Sequence, residues 1–337
     1  MAKTIKVAAA HVAPVYLDPS ATADKACEWI ADAGREGAGL IVFPEVFLPG
    51  FPYWINCYAP MLQTGLTRRY QDASVEAEGP EIQRIQAAAR KAGVVVVLGA
   101  SERAAGGYTC YNSVFYIDAD GTLLGVHRKL QPTFAERMVW GQGDGSTLYV
   151  FDTAAGRIGG LACWEHTMNL ARQALVAQGA QIHAGLWPGL STLAGFDSIA
   201  DIQIEAMMRN HAITGQCFVV AASSPVTQDM LDIMEQEIGP QELTWAGGGW
   251  SAIIHPFCAD LAGPHTGSEE KLLTAYIDLE QIADAKLFVD STGHYSRPEV
   301  LQLVVDDEPK QGFLKVSDAI ENERRGDVDS VANEGSE

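Results

Sequence analysis

Short apolar runs alternate along most of this chain with longer segments whose apolar residues recur at helical spacing. A short apolar run is typical of a buried strand, whereas apolar residues three and four positions apart mark one face of a helix. The pattern predicts strands at 5–11, 40–43, 94–99, 111–117, 123–128, 147–152, 158–162, 181–185, 217–222, 250–255 and 272–277. It predicts a first helix, capped by Asp18 or Ser20 and ending near residue 35, and further helices at 60–72, 80–92, 168–175, 198–211 and 279–288.

This repeated alternation of strands and helices predicts a layered α/β domain over residues 1–305, because no linker-like break interrupts it. Residues 306–337 differ, with ten acidic and four basic side chains and few large apolar ones. Such a composition predicts a mobile acidic tail that solvates the surface or covers a neighbouring subunit. We do not expect the tail to carry the chemistry.

The formal net charge of −20 argues against nucleic acid or an anionic membrane as a partner, since both require clustered positive charge. The longest apolar run, 94–98, is far shorter than the roughly 18 residues of a membrane span. No signal-peptide cleavage site is evident, and the six cysteines are scattered without a C-x-x-C pair. These features predict a cytoplasmic protein with reduced thiols.

Cys163 lies where a predicted strand, ending G-G-L-A, meets a predicted helix. A thiol at such a junction can point from the sheet edge towards the positive end of the helix, which favours the thiolate. Glu45 and Lys129 also follow predicted strands, in the strings I-V-F-P-E and H-R-K. Polar groups at strand ends of α/β proteins tend to gather in one site. We therefore treat Cys163 as a candidate nucleophile, with Glu45 and Lys129 as its partners.

Three strings that contain these residues resemble the signatures of the nitrilase superfamily of carbon-nitrogen hydrolases: F-P-E-V-F-L-P-G-F-P, H-R-K-L-Q-P-T-F-A-E-R and C-W-E-H. The C-W-E form resembles the nitrilase branch, and W-G-Q-G-D-G and G-H-Y-S-R-P-E extend the resemblance over about 5–305. It implies a four-layer αββα sandwich. It also implies the catalytic set Glu45, Lys129 and Cys163, with Glu136 as an additional glutamate.

The expected reaction converts a nitrile and two waters to a carboxylic acid and ammonia, without a cofactor or metal. Because a nitrile carbon is a weak electrophile, attack requires a thiolate formed beside a base, a role that suits Glu45 if burial raises its pKa towards neutrality. Lys129, with the backbone N–H of Trp164, would stabilise the charge that develops on nitrogen and later on oxygen. Glu136 would hold the ammonium group or position the hydrolytic water.

The resemblance implies a substrate pocket lined by Tyr53, Trp54, Trp164 and Trp187, which would suit aryl or arylaliphatic nitriles, although these side chains would also enclose an aliphatic one. Glu165 and His166 are expected to be structural, with His166 bordering the pocket. The alternatives are a Cys163–His166 dyad and a metal site, but no second ligand pair stands at suitable spacing for a metal.

Two rivals share the catalytic set: an amidase or carbamoylase, and an enzyme that hydrates or hydrolyses cyanide. A catalytically silent scaffold that binds a partner protein is the alternative from a different class, but it would be expected to lack one of the catalytic residues. The resemblance further implies a homo-oligomer, a dimer that extends into larger spiral assemblies.

Overall fold

The computed structural model describes residues 4–310, and within them twelve strands form two six-stranded sheets. The strands are β1 (Thr4–His11), β2 (Ala38–Val42), β3 (Val95–Arg103), β4 (Cys110–Ile117), β5 (Leu123–Arg128), β6 (Phe151–Thr153), β7 (Gly156–Ala162), β8 (Ile182–Trp187), β9 (Phe218–Ser223), β10 (Trp250–Ile254), β11 (Asp260–Thr266) and β12 (Lys271–Asp278). The α-helices are α1 (Pro19–Arg35), α2 (Thr64–Ala73), α3 (Pro80–Ala92), α4 (Asn169–Ala177), α5 (Ala200–Gly215), α6 (Gln228–Ile238) and α7 (Gln281–Phe288).

The two sheets have matching strand arrangements. The first has the order β12-β1-β2-β3-β4-β5 and the second the order β11-β10-β9-β8-β7-β6. In each, three consecutive strands are parallel, β1-β2-β3 and β7-β8-β9, and the outer neighbours are antiparallel. Parallel strands need covered faces and crossover connections, which the helices provide.

Side-chain alternation along the strands separates the layers. Val7 of β1 belongs to the apolar cluster between the sheets, which also contains Ile182, whereas its neighbour Ala8 belongs to the outer cluster that contains Ile30 of α1. On the other side of the molecule, Val219 of β9 packs outward against Met208 of α5. The order of layers is therefore helix, sheet, sheet, helix, which confirms the predicted αββα sandwich.

Most predicted strands and helices are present with shifted ends, and four segments differ. The strand expected at 147–152 is a short turn of 3₁₀ helix, Gly145–Thr147, followed by β6. The helix expected at 60–72 begins as a 3₁₀ turn, Pro60–Leu62, before α2. Helix α6 and strand β11 were not predicted. Strand β11 is an exposed edge strand whose sequence D-L-A-G-P-H-T has no apolar alternation, so periodicity gives no signal there.

Of the predicted acidic tail at 306–337, only residues 306–310 belong to the described part of the chain. There the backbone N–H of Lys310 donates to the Asp144 carboxylate at 2.8 Å. The rest of that prediction, including its mobility, lies outside the described residues. Within 4–310, no helix combines the length and the hydropathy needed to cross a membrane.

Gly99 of β3 lies against the loop that carries Glu45, and this contact requires the absence of a side chain. A Cβ on Gly99 would lie 2.5 Å from the Val46 nitrogen and 2.8 Å from the Glu45 Cα, and would also meet the Pro44 carbonyl oxygen. We predict that Gly99→Ala lowers the free energy of unfolding by about 1–3 kcal/mol, measured by urea denaturation, because backbone atoms must shift.

Gly65 is the matched control, because it lies in α2 and, apart from its chain neighbours and the nearby backbone of its own helix, no atom lies within 4 Å of the position that a Cβ would take there. Gly65→Ala should leave stability unchanged or raise it by up to about 1 kcal/mol, since alanine favours the helix. Equal stability of the Gly99→Ala protein and the unsubstituted protein would contradict the close packing described for Gly99.

Candidate active site

Three strand ends converge on one site between the sheets. Glu45 follows β2 by way of Phe43 and Pro44, and Lys129 directly follows β5. Cys163 directly follows β7 of the second sheet and opens the 3₁₀ turn Cys163–Thr167. All three are buried, with 0–1% of their surface exposed. The structure therefore brings together the three residues that the sequence places at strand ends.

The Lys129 ammonium lies between two carboxylates. Its Nζ donates to Glu45 Oε1 at 2.9 Å and to Glu136 Oε2 at 2.8 Å. Glu136 comes from the 3₁₀ turn Phe134–Met138, and its Oε2 also accepts the backbone N–H of Thr133 at 2.9 Å. This bond anchors Glu136 to the start of its own turn, so the second carboxylate reaches the site in a fixed orientation.

The thiol lies beside both carboxylates. One oxygen of Glu45, one oxygen of Glu136 and Cys163 Sγ all lie within 4.8 Å of one another. Two carboxylates and a thiol are also a donor set that could hold a divalent cation. In this site, however, the Lys129 ammonium already bonds both carboxylates, so a cation in the form of a side chain occupies the position between them.

The surroundings shift the pKa values of Glu45 and Lys129 so that the two groups differ in protonation near neutral pH. Burial, aided by the nearby Glu136, raises the pKa of Glu45 to about 7 against the opposing effect of Lys129. Burial opposes the charge of Lys129, but Glu136 and Glu45 outweigh it and hold the pKa of the ammonium well above its ordinary value. Near neutral pH, Glu45 can therefore both take up and release a proton while Lys129 stays charged.

The turn that begins at Cys163 does favour the thiolate, but other effects outweigh it. Burial and the Glu45 charge raise the pKa of this thiol well above its ordinary value, although Lys129 and the backbone N–H of Trp164 act in the opposite direction. The 3₁₀ turn is also too short to supply the field of a long helix. The resting group is consequently a protonated thiol that needs a base.

Asn112 of β4 is a site residue that the sequence pattern did not reveal. Its side-chain Nδ2–H donates to Glu45 Oε1 at 2.6 Å, beside the bond from Lys129. Glu45 Oε2 is buried and has no hydrogen-bond partner within residues 4–310. The second oxygen is thus the one free to accept a proton. A polar residue inside the otherwise largely apolar run C-Y-N-S-V-F-Y-I was the available signal for Asn112.

Glu165 ties the ends of β5 and β7 together. Its Oε1 accepts from the backbone N–H of Leu130 at 2.8 Å, and its Oε2 accepts from that of Ala162 at 3.0 Å. These are the neighbours of Lys129 and Cys163 in the chain. The His127 ring lies 3.0 Å from Glu165 Oε1, and despite the opposing effect of burial, this partner lowers the pKa of Glu165. The expected structural role of Glu165 agrees with this geometry.

The predicted pocket residues fall into two groups. Tyr53 is fully buried, and its hydroxyl accepts the Gly189 N–H at 2.8 Å. Trp187 lies with its ring centre 6.3 Å from that of Trp164, nearly perpendicular to it. Tyr53 and Trp187 belong to the same buried cluster as Cys163, and Trp164 directly follows Cys163 in the chain.

The other two predicted pocket residues make structural contacts. Trp54 packs between Tyr16 and Tyr70, with ring centres 6.2 and 5.2 Å away, so its contacts are those of an aromatic core. His166 stacks on Trp187 at 5.0 Å, and its Nδ1 lies 2.7 Å from the Cys163 carbonyl oxygen. A Cys163–His166 dyad is therefore absent, because the ring contacts the backbone of Cys163.

Comparison with known sequences identifies relatives along nearly the whole chain. The profile described as carbon-nitrogen hydrolase matches residues 6–287. A nitrilase of Pseudomonas syringae pv. syringae (strain B728a) is 39% identical over 319 residues, which cover 94% of each chain. An aliphatic nitrilase of Rhodococcus rhodochrous is 41% identical over 307 residues, covering 89% of this chain and 82% of that one. An arylacetone-specific nitrilase of Alcaligenes faecalis is 38% identical over 305 residues, covering 90% and 85%.

Solved structures share the fold. The Nit3 protein of Saccharomyces cerevisiae, a member of branch 10 of the nitrilase superfamily, superposes with a TM-score of 0.68 at 20% identity, covering 87% of this chain and 96% of that one. A carbon-nitrogen hydrolase of Helicobacter pylori gives a TM-score of 0.65 at 21% identity, covering 85% and 92%. At this level of identity the likeness speaks for the sandwich architecture alone.

We predict that the rate of Cys163 alkylation by iodoacetamide rises with pH around a midpoint near 7, as Glu45 becomes able to accept the thiol proton. Asn112→Leu removes an N–H that stabilises the Glu45 carboxylate, so the midpoint should move to higher pH and the rate at pH 6 should fall roughly tenfold. Peptide mass spectrometry resolves Cys163 from the other cysteines, and buried Cys217 is the internal control. An identical pH profile in the two proteins would exclude this role for Asn112.

Proposed function

The chain belongs to the carbon-nitrogen hydrolase family as a nitrile-hydrolysing enzyme, and from this premise we propose that it converts an organic nitrile to a carboxylic acid and ammonia through covalent intermediates on Cys163. One observation carries the proposal: a buried thiol lies beside two carboxylates that share a lysine ammonium. The named relatives, at 36–41% identity, support nitriles as the substrates.

In the proposed first half-reaction, Glu45 Oε2 accepts the thiol proton as Cys163 Sγ attacks the nitrile carbon. The C–S bond forms, one C–N π bond breaks, and the nitrogen takes the proton that Glu45 accepted, which gives a thioimidate and restores the Glu45 carboxylate. The Lys129 ammonium stabilises the charge that develops on nitrogen. The raised pKa of the thiol requires attack and proton transfer to be coupled, and the pKa of Glu45 near 7 suits it for that task.

In the proposed second half-reaction, Glu45 activates a water that adds to the thioimidate carbon. Both protons of this water pass to the nitrogen by way of Glu45, so the C–N bond of the tetrahedral intermediate breaks, ammonia leaves and a thioester remains. A second water then cleaves the C–S bond, releases the carboxylic acid and restores the thiol. Glu136 bonds Lys129 and the Thr133 backbone, so its proposed role is to hold the ammonium group in place.

We propose aryl or arylaliphatic nitriles as the preferred substrates, because Tyr53 and Trp187 share a buried cluster with Cys163 and Trp164 packs against that cluster. Aromatic walls stack on planar rings and exclude water from the reacting carbon. Relatives with names as different as aliphatic nitrilase and arylacetone-specific nitrilase have similar identity to this chain, so the pocket residues carry this part of the proposal. The cytoplasm as the site of action stays a prediction.

We predict that the unsubstituted protein releases acid and ammonia from phenylacetonitrile and benzonitrile, with higher kcat/KM than from aliphatic nitriles such as butyronitrile. Cys163→Ala should abolish turnover of all of them, because no other described thiol lies beside Glu45 and Lys129. Acid and amide are quantified by chromatography and ammonia by a coupled assay. Cys217→Ala, which removes a different buried thiol, is the control and should retain activity.

The same panel separates the alternatives. Faster turnover of the matching amides would favour an amidase, and turnover of cyanide alone would favour a cyanide-degrading enzyme. Retained activity of the Cys163→Ala protein would remove Cys163 from the mechanism. No turnover of any compound, with a thiol no more reactive than Cys217, would favour a silent scaffold.

We further propose that the enzyme is a homo-oligomer, built from dimers that extend into larger assemblies. Large apolar side chains near the end of the described chain are mostly exposed, among them Leu287, Phe288, Leu301 and Val304. Such a surface is costly to leave in water and is typical of an interface between subunits. Sedimentation velocity at micromolar concentration should therefore give a mass of at least a dimer. A monomer of 36.2 kDa would contradict the proposal.

A further inference from the structure

Three histidines form a buried row behind the nucleophile. His166 comes from the 3₁₀ turn that begins at Cys163, His183 from β8 and His211 from α5. Each is 0–1% exposed. The ring centres of His166 and His183 lie 5.1 Å apart, and those of His183 and His211 lie 3.9 Å apart. The proposed reaction uses none of the three.

The hydrogen bonds of this histidine row have only one consistent assignment. His166 Nδ1 lies 2.7 Å from the Cys163 carbonyl oxygen, which can only accept, so Nδ1 carries the hydrogen. In a neutral ring, Nε2 of His166 is then an acceptor. His183 Nε2, 2.9 Å away, must therefore donate to it. His183 Nδ1 is left as a bare acceptor, and it indeed has no partner within residues 4–310.

The surroundings keep the histidine row neutral. Burial lowers the pKa of His166 to about 4, and burial together with the other two rings and Arg172 lowers the pKa of His183 well below its ordinary value. The charged groups that act on His166 are Glu165 of its own turn, Arg172 of α4 and Lys129 at the end of β5. Without a change of tautomer at His183, a second proton on His166 would also place two N–H groups 2.9 Å apart, facing each other. The single assignment above therefore holds at neutral pH.

The bond to the carbonyl group matters because Cys163 has an unusual backbone conformation. Its φ is +53°, in the left-handed region that non-glycine residues rarely adopt. We propose that His166, oriented by His183, is a positioning residue that holds the Cys163 backbone in this conformation and thereby aims the thiol at the substrate. The same ring stacks on Trp187 at 5.0 Å and fixes a wall of the proposed pocket.

Two substitutions at His166 separate the bond to Cys163 from the bond to His183. In His166→Asn, the amide nitrogen lies near the position of Nδ1 and can still donate to the Cys163 carbonyl. In His166→Gln, the amide group lies near the position of Nε2, so contact with His183 remains and the donor to Cys163 is lost. Each of the two substitutions therefore removes one hydrogen bond of the His166 ring and keeps the other.

The primary measurement is the rate of Cys163 alkylation by iodoacetamide, with kcat and KM for phenylacetonitrile as the second. We expect His166→Gln to slow alkylation and kcat about tenfold, and His166→Asn to stay within about threefold of the unsubstituted protein. KM should rise in both, because Trp187 loses its stacked ring. Asn and Gln substitutions at half-buried His255, which bonds Gln281, are the matched controls and should leave both rates unchanged.

Equal alkylation rates for the Asn and Gln proteins, or a slower Asn protein, would overturn the proposal in favour of simple packing. If neither His166 protein folds, His183→Gln and His183→Phe replace them. The Gln side chain at position 183 keeps a donor for His166 Nε2, so His183→Gln should preserve the rate of Cys163 alkylation. His183→Phe removes this donor and should slow alkylation. Equal rates for these two proteins would again overturn the proposal. The measurement of kcat and KM rests on the proposed function, whereas the measurement of the Cys163 alkylation rate does not. The expected alkylation pattern without any nitrile turnover would contradict the function and leave the histidine inference standing.

Discussion

The site depends on one buried cation shared by two buried carboxylates. Lys129 is fully enclosed, and a charge removed from water is tolerated only if well-aligned partners compensate it. Glu45 and Glu136 supply that compensation at 2.9 and 2.8 Å. Removal of any one of these three side chains would leave a buried charge or a buried carboxylate oxygen without its partner. The same network thus fixes the position of the ammonium and keeps a carboxylate beside the thiol.

A second buried pair, His127 and Glu165, has the opposite character. Both sites contain a fully buried glutamate, yet burial raises the pKa of Glu45, whereas partners lower the pKa of Glu165. Glu165 accepts two backbone N–H groups and faces His127, so every acceptor position it uses stabilises the charged form. Glu45 has a second carboxylate nearby and one oxygen without a partner within residues 4–310. Hydrogen-bond partners, and not burial, therefore separate a carboxylate that exchanges protons from one that only binds.

The sequence predicted the layers and the strand ends because both follow from short-range patterns. Apolar runs located most of the strands, and Glu45, Lys129 and Cys163 each follow such a run directly or within a few residues. Asn112, His183 and His211 could not be assigned in this way, because they lie inside elements and reach the site only through the pairing of strands and the docking of α5. The same limit explains β11, whose edge position allows a sequence without periodicity.

The pKa of Cys163 shows why local sequence context is not enough to give the protonation state of the resting thiol. A strand-to-helix junction suggests a field that favours the thiolate, but the residue is fully buried and faces the Glu45 charge. Desolvation and a nearby carboxylate both favour the neutral thiol, and together they exceed the effect of one ammonium and one backbone N–H. A thiol that rests in its protonated form is protected from adventitious oxidation and becomes nucleophilic only where its proton has an acceptor. In the proposed mechanism, reactivity is thus a property of the assembled pair Glu45 and Cys163, and neither residue has it alone.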